Sequence, residues 1–387
     1  MTGRTVTGPA GHCDPTFEGV RDAFAQNFAD GLELGASLSV SVAGRNVVDL
    51  CGGHLDAART RPWQHDSLVC VFSCTKGVVA IATMWAVARG LLDLDAPVAT
   101  YWPEFAAEDK GDIPVRWLLT HEAGLPAVGQ RMPHGSLSDW NAMITALAGQ
   151  APWWEPGTAH GYHGVTFGHL VGEVLRRATG RDCGELIGSE LAMPLGVDLC
   201  MPLPADFDAR TADLVVDVST EGTFFDRWDP KTSLGPRAFG NPPDCNDPAH
   251  CMTETFRRAV IPAANLHANA RGLDRLYSVL AVGGTVGTFE LAPAALIELF
   301  GRRHVEGLDR VMELPTAFGL GFEHTIPEWQ FGPGPRTYGH NGSGGSLGIV
   351  DPDAGISLGY TMNRLWWGPD RTDPRWLPIF AALYASL

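Results

Sequence analysis

Strand-like patterns occur at both ends of this sequence, and a mainly helical stretch separates them. Near the start, residues 36–44 alternate in strand fashion, and residues 45–53 follow as a hairpin partner. Near the end, the pattern returns in "RTYGHNG" (336–342), "GSLGIVDP" (345–352) and "GISLGYTMN" (355–363). The sequence therefore predicts an α/β fold whose antiparallel strands come from both ends of the chain.

The predicted domain organisation follows from this arrangement. Residues 1–110 and 311–387 form a discontinuous α/β domain, and residues 111–310 form a mainly helical insert lobe. Amphipathic or apolar periodicity predicts helices over residues 19–31, 73–90, 140–149, 167–180, 270–284 and 373–387. Residues 226–248 are rich in Gly and Pro and read as a long ordered loop, a type of segment that is often functional.

Ser73 and Lys76 are the first candidate site residues. The chain has only three lysines, and one of them stands three residues after Ser73, where a strand-like run (67–72) meets a helix. Residues i and i+3 share one helix face, so the two side chains point to the same place. A buried lysine loses its charge readily and can then activate a serine hydroxyl. On this tetrapeptide alone, a solvent-exposed helix lysine is an open alternative.

Charge and composition exclude several classes of partner. The formal net charge is −16, which disfavours nucleic acid and anionic membranes. No apolar run is long enough to span a bilayer, and the polar N-terminus lacks the apolar segment of a signal peptide. We expect a cytoplasmic protein that acts on a small molecule.

Two further stretches extend the Ser73–Lys76 pattern. Tyr162 follows "PGT" in "EPGTAHGYHG", and a His-Asn-Gly turn beginning at His340 precedes a late strand. In this order the three motifs resemble those of the serine β-lactamase-like superfamily, and most of all those of the class C-like (family VIII) carboxylesterases. "LLTHEAGLP" (118–126) and "IPAANLHANARGLDRLY" (261–277) are also similar to that family. The resemblance implies a β-lactamase/transpeptidase-like fold, with an antiparallel sheet flanked by helices and a mostly helical lobe.

The resemblance also implies roles for the matched residues. Ser73 would be the acylated nucleophile. Lys76 and Tyr162 would share the general-base work, and Tyr162 would pass a proton to the leaving group. The backbone N–H groups of Ser73 and Ser343 would form the oxyanion hole, which acyl transfer requires. No metal or organic cofactor is implied.

The second motif departs from the β-lactamase pattern. β-Lactamases carry Tyr-x-Asn, whereas this chain has Tyr162-His163-Gly164. The asparagine that helps to hold the amide side chain of a β-lactam is therefore missing. His163, next to Tyr162, is a candidate to support the site.

The third motif departs as well. His340 and Asn341, followed by Gly342, stand where β-lactamases have Lys-Thr-Gly, so a fixed cation for a β-lactam carboxylate is lost. A histidine is only partly charged near neutral pH. Both departures favour a neutral carboxylic ester as substrate. An acyltransferase with an alcohol or amine acceptor is the alternative, and a β-lactamase, a D-Ala-D-Ala peptidase and a non-catalytic binding protein are further ones.

A second serine motif, around Ser346, resembles a nucleophile motif but is not assigned as one. "GGSLG" around Ser346 matches the nucleophile elbow of α/β-hydrolases, Gly-x-Ser-x-Gly. That elbow requires a helix after the serine, whereas strand-like residues follow here. It also requires a later histidine, and none follows His340. We therefore do not assign Ser346 as the nucleophile.

Paired tryptophans and clustered His and Cys residues have two interpretations each. Trp366 and its neighbour Trp367 either pack under a loop or form an aromatic wall of the site, and the pair at 153–154 has the same alternatives. His160 and His163 are interpreted as supports of the site rather than metal ligands. Residues Cys245, His250 and Cys251 match no standard zinc spacing, and an ordinary polar loop is favoured over a metal site or a disulfide loop.

Overall fold

The computed structural model describes residues 9–216, 223–368 and 372–387 of the chain. The strands are, in chain order, β1 (Ala10–Cys13), β2 (Gly35–Val42), β3 (Arg45–Gly53), β4 (Val69–Cys70), β5 (Leu199–Cys200), β6 (Val215–Val216), β7 (His267–Ala268), β8 (Thr285–Val286), β9 (Phe289–Glu290), β10 (Val305–Leu308), β11 (Pro315–Phe318), β12 (Glu323–His324), β13 (Tyr338–Asn341), β14 (Leu347–Asp351), β15 (Ile356–Met362) and β16 (Arg364–Leu365).

The helices are, in chain order, α1 (Glu18–Ala29), α2 (Cys74–Ala88), α3 (Val98–Tyr101), α4 (Val115–Leu119), α5 (Trp140–Gly149), α6 (Thr166–Thr179), α7 (Cys183–Leu186), α8 (Met193–Leu195), α9 (Gly235–Gly240), α10 (Pro248–Cys251), α11 (Glu254–Arg257), α12 (Ala270–Ala281), α13 (Ala294–Gly301) and α14 (Trp376–Ala385).

A large antiparallel sheet organises the fold. Its strand order is β1-β3-β2-β15-β14-β13-β12-β11-β10. The two ends of the chain meet at its centre, where β2 pairs with β15 and Ser39 lies opposite Gly359. The sequence-based prediction of a sheet built from both chain ends is thus confirmed.

Helices cover both faces of this sheet, which explains why nearly every residue of β2 and β15 is buried. Alternate residues of a strand point to opposite faces. On one face, a side chain at Gly359 would collide with the Ala270 carbonyl, so α12 packs directly on the sheet. On the other face, Tyr360 makes an edge contact with Phe24 of α1, their ring centroids 6.1 Å apart.

The polar side chains that alternate along β2 are buried rather than exposed to solvent. Ser39 and Ser41 donate hydrogen bonds to the Asp274 carboxylate of α12 (2.7 and 2.8 Å), and Ser357 of β15 does so at 2.5 Å. Burial raises the pKa of Asp274, and these hydroxyl donors act against that rise. The serines therefore fix α12 on the sheet, because a buried carboxylate needs such partners.

Some elements differ from the sequence-based prediction. Strands β10–β12 were not predicted because each spans only two to four residues. The predicted loop 226–248 contains the short helix α9, and α14 begins only at Trp376 because Asp373 and Pro374 form a turn before it. The division into a discontinuous domain and an insert lobe stays a prediction; within 111–310, α12 packs on the sheet and β10 forms its edge.

Candidate active site

The site lies where the N-terminus of α2 meets the end of β13. Gly342 comes directly after β13, and a Cβ atom on it would lie 2.1 Å from the carbonyl oxygen of Val71. Only glycine permits this approach, which brings the loop after β13 beside Ser73. Phe72, which precedes Ser73, has a left-handed φ of 45°. Such strain in a non-glycine residue is typical of functional turns.

Ser73 and Lys76 are in direct contact. The Lys76 Nζ atom lies 2.9 Å from Ser73 Oγ and donates a second hydrogen bond, also of 2.9 Å, to the Ala263 carbonyl. The lysine is fully buried. Burial lowers the pKa of Lys76 to about 7, while the carboxylate of Glu323 acts in the opposite direction. At neutral pH, a large fraction of Lys76 is therefore an uncharged amine that can accept a proton.

Tyr162 lies on the other side of Lys76. The Lys76 Nζ atom is 4.9 Å from the centroid of the Tyr162 ring. The ring stacks on Phe318 of β11 with a centroid separation of 6.0 Å and an angle of 5° between the planes. The fold thus brings Tyr162, which is distant in the sequence, next to Ser73 and Lys76.

A buried carboxylate fixes the backbone at Tyr162. Both oxygens of Asp309 accept from the Tyr162 N–H (3.1 and 3.0 Å), and Asp309 also accepts from the Thr316 hydroxyl (3.1 Å). His160 Nε2 lies 2.8 Å from that hydroxyl. His160 therefore contacts the Tyr162 loop through Thr316.

His163 also lies behind Tyr162. Its Nδ1 atom is 2.6 Å from the Gly161 carbonyl, and its Nε2 accepts from the Leu125 N–H at 3.0 Å. Its backbone N–H donates to His121 Nδ1 (3.1 Å). Burial lowers the pKa of His163 to about 4, so the ring is neutral. Because backbone groups engage both ring nitrogens, His163 holds the loop in place.

The loop after β13 provides the facing wall. Asn341, Gly342 and Ser343 line a cavity together with Ser73. The Ser343 hydroxyl accepts a hydrogen bond of 2.9 Å from the indole N–H of Trp367. His340 is buried behind this wall, with Nδ1 2.8 Å from the Asn341 carbonyl and its ring centroid 6.0 Å from that of Tyr162.

Ser346 ends the same loop. It is fully buried, and strand β14, not a helix, follows it. The structure therefore lacks the strand–turn–helix of a nucleophile elbow at this position.

The cavity has a volume of about 160 Å³ and is partly open to solvent. Its wall is largely aromatic and includes, besides Tyr162, the residues Phe224, Phe225, Phe239, Trp329, Trp366, Trp367 and Trp376. The charged side chains among its described lining residues are both acidic, Glu323 and Asp373. Trp366 lines the cavity, and its role in the site stays a prediction. Trp154 instead packs away from the cavity and donates to the Ala159 carbonyl (3.0 Å).

Sequence reasoning missed several of these residues. Glu323 stands in a two-residue strand, and no motif marks it. Phe239 lies within the long loop 226–248, whose length was the only signal of a functional role. Asp309 gave no signal, because a single acidic residue before "RVMEL" is usually a surface residue.

Neither a metal site nor a membrane-spanning helix is found in the described parts of the chain. No three His, Cys, Asp or Glu side chains there are grouped closely enough to hold a metal ion. The side chain of Cys245 lies outside the described residues. No helix within those residues is both long and apolar enough to cross a membrane.

Comparisons with known proteins identify the family and the fold of the chain. A family model described as Beta-lactamase matches residues 22–382. The esterase/beta-lactamase LipL of Mycobacterium tuberculosis (strain ATCC 25618 / H37Rv) is 36% identical over 373 residues, covering 94% of this chain and 84% of LipL. Two solved structures are each 37% identical and cover 98% of this chain and 100% of their own. They are a family VIII carboxylesterase (TM-score 0.89) and a penicillin-binding protein homologue from Caulobacter crescentus (TM-score 0.91). The fold predicted from the sequence is thereby confirmed.

Proposed function

This chain belongs to the beta-lactamase family as a carboxylesterase-type hydrolase, and we propose that it cleaves carboxylic esters through a covalent acyl–Ser73 intermediate. One observation carries the proposal. The Ser73 hydroxyl lies 2.9 Å from a buried lysine whose pKa is lowered to about 7. A serine needs such a neighbouring base to act as a nucleophile.

The proposed reaction has two halves. In the first, the Lys76 amine takes the hydroxyl proton of Ser73 while Oγ attacks the ester carbonyl carbon. The N–H groups of Ser73 and Ser343 donate to the oxyanion that forms. The bond to the alcohol oxygen then breaks, and that oxygen receives the proton by way of Tyr162. In the second half, a water molecule gives one proton to the Lys76 amine and attacks the acyl carbonyl carbon. The bond to Ser73 Oγ breaks, the acid leaves, and Oγ receives the proton that the water gave up.

The cavity favours uncharged esters with an apolar group. Its wall is largely aromatic, and its charged lining residues Glu323 and Asp373 are both acidic. Asp373 is paired with Arg375, but a substrate carboxylate would still face Glu323, and the described lining residues include no lysine or arginine. This supports the conclusion, drawn above from His340 and Asn341, that a neutral ester suits the site better than a β-lactam.

Acyl transfer to an alcohol or amine is a second candidate. An aromatic cavity retains apolar acceptors and limits the access of water to the acyl–enzyme, which favours a non-water acceptor. Product analysis after incubation of the protein with p-nitrophenyl butyrate and a series of alcohols and amines distinguishes the two reactions. A carboxylic acid as the sole product would leave hydrolysis as the reaction.

The first test is the intact mass of the protein after brief exposure to p-nitrophenyl acetate and p-nitrophenyl butyrate. We expect an acyl adduct on the peptide containing Ser73, together with p-nitrophenol release. Ser73→Ala should abolish the adduct and lower kcat by a factor on the order of 10⁴ or more. Full activity of that variant, or an adduct on another peptide, would refute the mechanism.

A matched control addresses the role of the lysine. Lys76→Met should lose nearly as much activity as Ser73→Ala, because members of one catalytic unit do not act additively. Lys110 is also fully buried, and its Nζ donates to the carbonyls of Ala107, Ala148 and Gln150. Lys110→Met removes a buried lysine far from Ser73, so a folded Lys110→Met protein should still form the adduct.

A further inference from the structure

Two side chains from the start of the C-terminal helix hold the loop that carries Ser343. Arg375 Nη2 donates to the Gly344 carbonyl (2.6 Å), and the indole N–H of Trp376 donates to the Gly345 carbonyl (3.0 Å). The backbone N–H of Trp366 donates to the same Gly344 carbonyl at 3.0 Å. The 344–345 and 345–346 peptide groups are therefore fixed from behind the cavity. The Gly345 N–H of the first one donates to the Gly342 carbonyl (3.1 Å), which belongs to the same peptide group as the Ser343 N–H.

The fit between this loop and Arg375 permits no side chain in between. Gly344 and Gly345 have φ angles of 88° and 123°, in the region that favours glycine. A Cβ atom on Gly345 would lie 2.1 Å from Arg375 Nη2 and 2.4 Å from an oxygen of Asp373. The loop can adopt this conformation only because residues 344 and 345 are glycines, which leave room for direct contact with the Arg375 guanidinium.

Arg375 is fully buried, and two acidic residues face it. Asp373 accepts from Arg375 Nε (2.9 Å), and Glu33 accepts from Nη1 (3.2 Å). The hydroxyl of Tyr360 donates to the same oxygen of Glu33. Replacing a buried ion cluster by apolar residues of equal volume is often neutral or stabilising. The presence of this cluster directly behind a candidate oxyanion donor therefore points to a role in geometry.

We propose that Arg375 is a positioning residue that fixes the Gly344 carbonyl and thereby orients the backbone N–H of Ser343 toward the oxyanion formed on Ser73. This inference rests on the proposed ester hydrolysis. Arg375 does not touch the substrate, because the loop lies between them. Its effect is expected on the transition state, where the oxyanion exists, and not on the binding of the uncharged ester.

The test compares Arg375→Met with Arg61→Met. Arg61 serves as the control, because it also binds two carboxylates, those of Asp56 and Asp213, and a carbonyl, that of Thr211, away from the cavity, although its side chain is 36% exposed. The kcat and KM for p-nitrophenyl butyrate are measured for both variants. Two inhibitors are added: phenylboronic acid, which forms a tetrahedral adduct with the serine, and p-nitrophenyl butyl ether, which has no carbonyl group.

The expected result separates the two inhibitors. A displacement of about 1 Å in an active site costs on the order of 10²-fold in rate. Arg375→Met should therefore lower kcat and the affinity for the boronic acid by about 10- to 100-fold. Its KM and its affinity for the ether should stay within about twofold of the values for Arg61→Met. Equal boronic acid affinities in the two variants, or an equal loss for both inhibitors, would overturn the inference.

Two further measurements keep the inference testable. If Arg375→Met does not fold, Trp376→Phe removes the donor to Gly345 and also changes the aromatic wall of the cavity. A change of the wall alone would weaken the binding of both inhibitors equally, so the boronic acid should lose more affinity than the ether; equal effects would overturn the inference. Hydrogen exchange of the loop amides needs no activity. Exchange around residues 342–346 should be faster in Arg375→Met, or in Trp376→Phe, than in Arg61→Met, and equal exchange would overturn it. A wild-type protein that forms no acyl adduct would refute the proposed function separately.

Discussion

Replacing Lys76 by methionine should abolish activity and at the same time stabilise the fold. Methionine has a similar length and fills the buried space between Ser73 and the Tyr162 ring without a charge. The lysine, by contrast, is buried with its amine hydrogen-bonded to the Ser73 hydroxyl and the Ala263 carbonyl. A group kept for its chemistry often lowers the stability of the protein that carries it.

The size of the effect follows from the pKa of Lys76. The value falls from 10.5 to about 7, a difference of 10.5 − 7 = 3.5. At 1.36 kcal/mol per pKa unit, burying the amine costs the folded state about 5 kcal/mol below pH 7. Methionine avoids this cost but leaves the two hydrogen-bond partners of the amine unsatisfied, which offsets about 1–3 kcal/mol. The net gain in the free energy of unfolding is then about 2–4 kcal/mol.

This gain should depend on pH in one direction. Between about pH 7 and 10.5 the unfolded chain binds a proton at Lys76 that the folded chain does not. The stability of the wild-type protein therefore rises with pH relative to that of the variant. From pH 7 to pH 9 the advantage of Lys76→Met should shrink by about 2 kcal/mol.

Urea unfolding followed by tryptophan fluorescence at pH 6, 7, 8 and 9 measures this difference. The control is Lys231→Met, which removes an exposed lysine and should change the free energy of unfolding by no more than about 0.5 kcal/mol. A Lys76→Met variant that is no more stable than the wild type at pH 6 and shows no pH-dependent difference would refute the reasoning. Lys76 would then not be a buried, largely neutral amine.

Two other substitutions test the site. In Glu323→Gln, the carboxylate that raises the pKa of Lys76 is lost, so the midpoint of the rise of kcat/KM with pH should move below that of the wild type; an unchanged or higher midpoint would contradict this role. In Trp366→Ala, part of the aromatic wall is lost, so kcat/KM for p-nitrophenyl butyrate relative to the acetate should fall by about three- to tenfold. Trp153 packs against Arg237 away from the cavity, and Trp153→Ala should leave that ratio unchanged.

The parts of the site that local chemistry specifies were predictable from the sequence. A serine and a lysine three residues apart at a helix start face one point whatever the rest of the fold does, and the structure places them 2.9 Å apart. The strands around Gly359 were predictable because their alternation is long. The alternating serines of β2 do not face solvent, because both faces of the sheet are packed. On one face, the Asp274 carboxylate accepts the hydrogen bonds of the buried serine hydroxyls.

Other parts depend on tertiary contacts that no local pattern reports. Strands β10–β12 are stabilised by pairing with their neighbours, and each is too short to show a periodic sequence pattern. Glu323 acts on Lys76 only because β12 lies near α2 in space. The contacts of Arg375 could not be predicted, because its partners Glu33 and Gly344 lie far away in the sequence.

The pairing of β2 with β15 has a consequence for biosynthesis. The ribosome completes β15 and the Ser343 loop about 300 residues after β2, so an emerging chain contains Ser73 long before the surroundings that would activate it. Contacts between such distant segments form late in folding. A reagent that acylates Ser73 should therefore label full-length, folded chains and leave nascent chains unmarked. The labelled fraction would equal the fraction of correctly folded molecules, so acylation of Ser73 would report that synthesis and folding are complete.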